Sequence, residues 1–358
     1  MCLGLGSVFL VSPGVEAATL SVPSQFPTIA AALAAAIAGD TVLVSPGTYF
    51  ERLTMKNGVI LRGAAMANPP VVDAQGLGVA IRATNCGSST QVKDMILRNG
   101  FGTGFGGGVQ IVASSLTFER CRFENNTAMH GGGAGGDGAF FLNACIFDGN
   151  HATDTGGAVA CTDLPSPTII ACRMSSNTAI SGGAIAVRNG CAPAITTAIL
   201  DENIADQGSA IWWDFFTGGT FERCTVVENT ALALDGGALA CSPLSTPLVT
   251  RTIVAFNSAG GAATLAPGST ATFGCNDLFG NIGGNSIAGA IDLGTNLFLD
   301  PLFCNAAGED YSLQCSSPCL LGGTCGLIGA VGAGPCLVVA AEMPTQLLSW
   351  GSLKARYR

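Results

Sequence analysis

The chain has two histidines, His130 in Met-His-Gly and His151 in Asn-His-Ala. Each follows an asparagine by a few residues, and no nucleophile-base pattern surrounds them, so both read as exposed turn residues rather than catalytic bases. Three carboxylates, Asp154, Asp206 and Asp235, recur in the turn that precedes a Gly-Gly or its variant. Stacked turns would bring them together as a candidate Ca²⁺ site, since this hard cation wants several oxygen ligands. Ser181 interrupts that column. No other cofactor is expected. The segment Ile211-Trp212-Trp213-Asp214-Phe215-Phe216 is the densest aromatic run. Set against neighbouring repeats, Trp212 replaces Ala160, Ala186 and Ala240, while Trp213 replaces Cys161, Val187 and Cys241. Trp213 therefore points inward and Trp212 outward, where a lone indole with Asp214 beside it is a candidate sugar-stacking platform.

The sequence lacks several constellations. A polygalacturonase-type hydrolase would show Asn-Thr-Asp, Asp-Asp, Gly-His-Gly and Arg-Ile-Lys, and none occurs. Asp214-Phe215-Phe216 stands without the upstream Gln-Asp and downstream Arg-Pro-Trp that an esterase would pair with it. There is no CxxC motif and no basic environment around a cysteine, which argues against redox catalysis. Net charge is −9, with 15 Lys and Arg dispersed along the chain, so nucleic acid is not an expected partner.

These residues sit on a repeat. Asn recurs at positions 99, 126, 150, 177, 203, 229, 257 and 281, at intervals of 24 to 28 residues. Three residues before each stands an apolar one: Ile96, Phe123, Phe147, Met174, Leu200, Val226, Val254 and Leu278. A second column, five before the Asn, holds Cys121, Cys145, Cys172, Ala198, Cys224 and Thr252. Period-two alternation on both sides of a bend gives two short strands, and Gly-Gly-Ala-apolar (156–159, 182–185, 236–239) opens a third. Three strands per coil at such a period predict an all-β fold, a right-handed parallel β-helix. The Asn column is read as structural, bonding rung to rung and tolerating left-handed φ.

The columns leave the cysteines open. Cys121, Cys145 and Cys172 on successive rungs form either disulfides or a ladder of buried thiols, and Cys161 with Cys191 is a candidate bridge. Cys304, Cys315, Cys319, Cys325 and Cys336 fall within 33 residues and suggest a disulfide-stapled cap in preference to a zinc site, as no histidine is near.

Residues 1–18 read as an export signal that lacks the usual basic start: Leu3–Val11 is apolar and Val15-Glu16-Ala17-Ala18 ends in small residues. Residues 19–79 form an N-terminal cap and first coils, with a helix from Pro27 to Gly39 whose Ile29, Leu33 and Ile37 make one apolar stripe. Residues 80–290 carry the repeats, 291–340 the Cys-rich C-terminal cap, and 341–358 a short basic tail. No apolar run reaches the ~20 residues of a membrane span. A secreted or cell-surface bacterial monomer is expected.

Phe123-Glu-Asn-Asn126, Phe147-Asp-Gly-Asn150, Gly156-Gly-Ala-Val159 and Gly182-Gly-Ala-Ile185 resemble the repeat of chlamydial polymorphic outer-membrane proteins and, more widely, of secreted bacterial β-helix proteins. The opening Gly39-Asp-Thr-Val and Gly47-Thr-Tyr-Phe-Glu51 is similar to the first coil of pectinesterase-like ones. The resemblance implies the fold, with activity left to the site. The reading is a non-catalytic binding or adhesive protein that takes a polysaccharide or host glycan on a lateral face, with a polysaccharide lyase or hydrolase as the alternative.

Overall fold

The computed structural model describes residues 16–336 apart from 165, 234–235, 259 and 321–322. The export signal before residue 16, Cys2, Asp235 and the basic tail 341–358 lie outside the described residues. Among the described residues three long sheets of 12, 10 and 9 strands run the length of the molecule, each built from one strand per coil. Every neighbouring pair within them is parallel, as in Phe118↔Leu142, Phe123↔Phe147 and Val159↔Ile185. The inward residues of the three sheets fill one continuous core, in which Phe123 and Phe147 stack with centroids 4.3 Å apart.

The Asn column is a buried hydrogen-bond ladder. Asn126 Nδ2 donates to Asn150 Oδ1 at 2.9 Å, Asn150 to Asn177 at 2.9 Å, and Asn177 to Asn203 at 3.0 Å. The series continues through Asn229, Asn257 and Asn281 and ends on Asn285. Left-handed φ falls on the residue before each Asn, such as Asn125 (52°), Ser176 (57°) and Glu202 (55°). The Asn itself must aim its amide along the stack, so its neighbour makes the bend. Asn99 is out of line by one residue. Leu97 pairs with Phe123, and it is Gly100 whose N–H donates to Asn126 Oδ1 at 2.8 Å. A side chain at Gly100 would meet the Gly107 carbonyl at 2.0 Å, so the first ladder position has no room for Asn.

The N-terminal helix is shorter than expected, Ile29–Ala35, with Thr28 as its N-cap and the Glu51 carboxylate accepting from Ile29 and Ala30 N–H. Ile29 and Leu33 are buried on the end of the stack, while Ile37 lies past the helix and is exposed.

Two disulfides hold the Cys-rich segment: Cys304–Cys336 lies within it, and Cys275–Cys325 ties it to the last coils. It lies along the side of the solenoid rather than over its open end. Phe303, Tyr311, Leu313, Cys319 and Ile328 cover Val227, Ile253 and Ala255 on the outer face of the second sheet. Arg173 holds the far edge by pairing with Asp201 and Glu309. Burial pushes the Asp201 carboxyl up while the Arg173 bonds pull it back. The reason for the lateral placement is local: Thr225, Val227, Ile253 and Ala255 make this outer face unusually apolar.

Candidate functional site

The outer face of the third sheet carries the residues singled out by their chemistry. One outward row runs Gly135, Ala160, Ala186, Trp212, Ala240 and Thr264 in register. The next outward row pairs Thr162 with Arg188. Beside the first row lies a second stack of turns, in which 127–130 pairs with 151–155 and Thr155, Ser181 and Gln207 bridge successive coils. A side chain on Gly156 would come within 3.0 Å of the Ala160 Cβ. The alanine row is therefore a covered seam and not an open pavement: Ala160, Ala186 and Ala240 are buried.

Trp212 emerges from that seam half-buried, while Trp213 is buried against Phe221, as expected from its column. Phe215 and Phe216 beyond it are exposed. Asp214 closes the intervening turn: its Oδ1 accepts from Phe215 N–H at 2.8 Å, and its carbonyl accepts from Thr217 Oγ1 at 2.5 Å. Asp214 thus shapes the turn that presents the aromatics.

Asp154 and Asp206, the two described carboxylates of that column, do not converge. Ile180 N–H bonds the Asp154 carbonyl, and Asp206 N–H bonds the Ile180 carbonyl. Ile180, and not Ser181, separates Asp154 from Asp206, leaving them two rungs or ~10 Å apart. Among the described residues no group of three His, Cys, Asp or Glu side chains is placed to hold a metal ion.

His130 is the main departure from expectation. His151 is exposed on its turn, but His130 is only 8% exposed. Its ring packs on Phe105 with centroids 4.8 Å apart. Its Nδ1 lies 2.9 Å from Thr155 Oγ1, 3.0 Å from an Arg188 guanidinium nitrogen and 3.5 Å from Asp154 Oδ2. A guanidinium only donates, so Nδ1 accepts and the proton sits on Nε2. Burial holds His130 below the usual imidazole range, Arg188 pushes the same way, and Asp154 pulls against both. The neutral ring agrees with Arg188 as the donor, and the Asp154 contact is then not an ion pair. Arg188 was not legible as a site residue. Its one sequence signal is a basic residue beside the inward Val187, opposite Thr162 on the neighbouring coil.

Two surface hollows lie nearer the N-terminal end of the solenoid. One of about 410 Å³ is lined by Asn99, Gly100, Phe101 and Asn125 and contains no ionisable side chain. Another of about 290 Å³ holds Arg52, Thr54 and Arg82.

Residues 78–290 match the family model described as right handed beta helix region. No curated protein sequence matches the chain. Among solved structures, the chain is similar to pectate lyase Pel9A at 12% identity and a TM-score of 0.59, over 89% of this chain and 97% of that one. A pectin methylesterase from Aspergillus niger aligns at 12% identity and a TM-score of 0.34, over 81% and 93%. The parallel pairing, the one-strand-per-coil sheets and the matched span agree, and the chain belongs to the right-handed β-helix family.

Proposed function

We propose that this is an exported carbohydrate-binding protein that takes a glycan chain along the outer face of the third sheet, with Trp212 as the stacking platform. The observation that carries this reading is Trp212 itself, the one aromatic side chain in the outward stretch Gly135, Ala160, Ala186, Trp212, Ala240 and Thr264, followed along the chain by exposed Phe215 and Phe216. Aromatic faces presented by rigid strands suit sugar rings, which offer flat patches of C–H. Arg82 shares that outward row toward the N-terminal end, where Val109↔Ile81 sets its register. The fold shared with a pectate lyase is compatible with a glycan ligand. Two disulfides are compatible with an oxidising, extracytoplasmic setting.

The lyase or hydrolase reading has one observation in its favour, the convergence of His130, Asp154 and Arg188. Against it, Arg188 fills the basic nitrogen that a general base would need. A glycan array probed with wild type and Trp212→Ala tests the binding reading. Loss of signal in the variant is the expected result, and equal signals remove the platform. Release of unsaturated, ultraviolet-absorbing products from acidic polysaccharides with Ca²⁺ would make binding secondary to catalysis.

A further inference from the structure

We propose that Arg188 and His130 form an anion subsite on this face, which takes a carboxylate or sulfate group of the bound sugar and which acid strengthens. The proposal rests on the glycan-binding reading for its ligand and on the following geometry for its residues.

Arg62, Arg98, Arg120, Arg122, Arg173 and Arg251 are each paired with a carboxylate. Arg188 is half-buried and has no such counter-ion among the described residues. Its Nε is buried without a hydrogen-bond partner there, and a guanidinium nitrogen donates to a neutral imidazole instead. A guanidinium carries five N–H groups in a planar fork matched to carboxylate and sulfate oxygens, so this one is under-used.

The charged groups facing the His130 ring are Arg188 from the strand Ile185–Arg188 and Asp154 from the strand His151–Thr155; Thr155 and Phe105 are its neutral neighbours. Protonating the ring puts two cations about 3 Å apart, and Arg188 must leave Nδ1. An anion held by both donors relieves that repulsion. Binding of the anion and of the proton are therefore linked, each favouring the other. Asp154 acts as the internal competitor for the imidazolium.

With only two histidines, the imidazole proton resonances can be titrated directly, His151 serving as an internal control. The probes are glucuronate, glucose 6-sulfate and glucose, each titrated onto the full chain. Either anionic sugar should raise the His130 pKa by about one unit, a tenfold preference for the protonated ring, and glucose should not. If only one anionic sugar acts, it identifies the group recognised. Arg188→Gln should raise the ligand-free His130 pKa and abolish the anion-induced rise, while Asp154→Asn should enlarge it. An unchanged His151 resonance shows that the variants remain folded. The subsite is overturned if neither anionic sugar moves His130, or if the rise persists in Arg188→Gln. Array binding with no His130 response removes the subsite and leaves the Trp212 reading standing; a His130 response without array binding does the reverse.

Discussion

Asn150 donates both its backbone N–H and its Nδ2 to Oδ1 of Asn177, at 3.0 and 2.9 Å, with both residues fully buried. Asn177→Ala removes the acceptor for two buried donors as well as the Asn177 bond to Asn203. Leaving buried donors unsatisfied costs about 1–3 kcal/mol each. Asn177→Ala should therefore lower the unfolding free energy by roughly 3–5 kcal/mol in a denaturant titration. Asn99 lies one residue off the ladder and bonds Asp73 in a part-buried setting, so Asn99→Ala should cost no more than about 1 kcal/mol. Equal losses would contradict the register.

The contrast between these two asparagines shows how far sequence spacing reaches. Phe123, Phe147 and Met174 declare their column because an inward position admits only apolar side chains, and the strand alternation follows from them. Asn99 mimics the spacing by chance of one residue, and only the pairing Leu97↔Phe123 exposes it. The cover over the alanine row was not legible, since an outward Ala looks the same whether solvent or a turn lies above it. His130 and Arg188 meet across 58 residues, and Arg173 and Glu309 across 136, distances at which a repeat carries no information about side-chain direction.

The covered row makes a prediction by symmetry. Trp212 and Ala186 are register partners, yet Ala186 lies fully buried beneath the turn at Gly182. Ala186→Trp should overpack that seam and cost about 1–3 kcal/mol or more. Trp212→Ala removes only a half-buried ring and should leave the thermal midpoint closer to wild type. If Ala186→Trp is tolerated as well, the turn stack does not cover the row.

The lateral flap depends on its link to the solenoid. Cys275–Cys325 closes a 50-residue interval and joins the flap to the last coils, whereas Cys304–Cys336 joins the flap to itself. Loop-closure entropy assigns the first bond about 4 kcal/mol. The double variant Cys275→Ser with Cys325→Ser should raise hydrogen exchange at Val227, Ile253 and Ala255 while exchange along the Asn ladder stays slow. Uniform loss of protection would show that the flap and the solenoid unfold as one unit.

Asp277 gives the flap a pH dependence. It is fully buried, its Oδ1 accepts from Leu299 N–H at 3.1 Å, and its Oδ2 lies 3.1 Å from Cys319 Sγ. Burial pushes this carboxyl up, against the opposing effect of those bonds. The folded state thus holds the proton more tightly than the unfolded chain does. The associated stability is fully present below the unfolded carboxylate pKa of about 3.9 and is lost as pH rises through the folded value. Asp277→Asn should flatten that slope, with slower exchange at Ile253 near neutral pH, and an unchanged slope would place the titration elsewhere.

The stacked cysteines give the last test. Cys121, Cys145 and Cys172 are free and buried, as are Cys161 and Cys191, so the proposed Cys161–Cys191 bridge is replaced by two thiols. Burial drives Cys121 and Cys145 well above the usual thiol range, and pushes Cys224 and Cys241 up to about 12. The thiolate is the reactive species, and here it is both disfavoured and inaccessible. Among the described cysteines Cys315 is the exposed free thiol. Iodoacetamide on the native protein should therefore label Cys315 first, with the core column reacting only after denaturation. Peptide mapping without reductant should then recover Cys161 and Cys191 as separate labelled peptides. A linked Cys161–Cys191 peptide would show instead that oxidation adds a third staple, between two adjacent coils and immediately behind the face that carries Arg188.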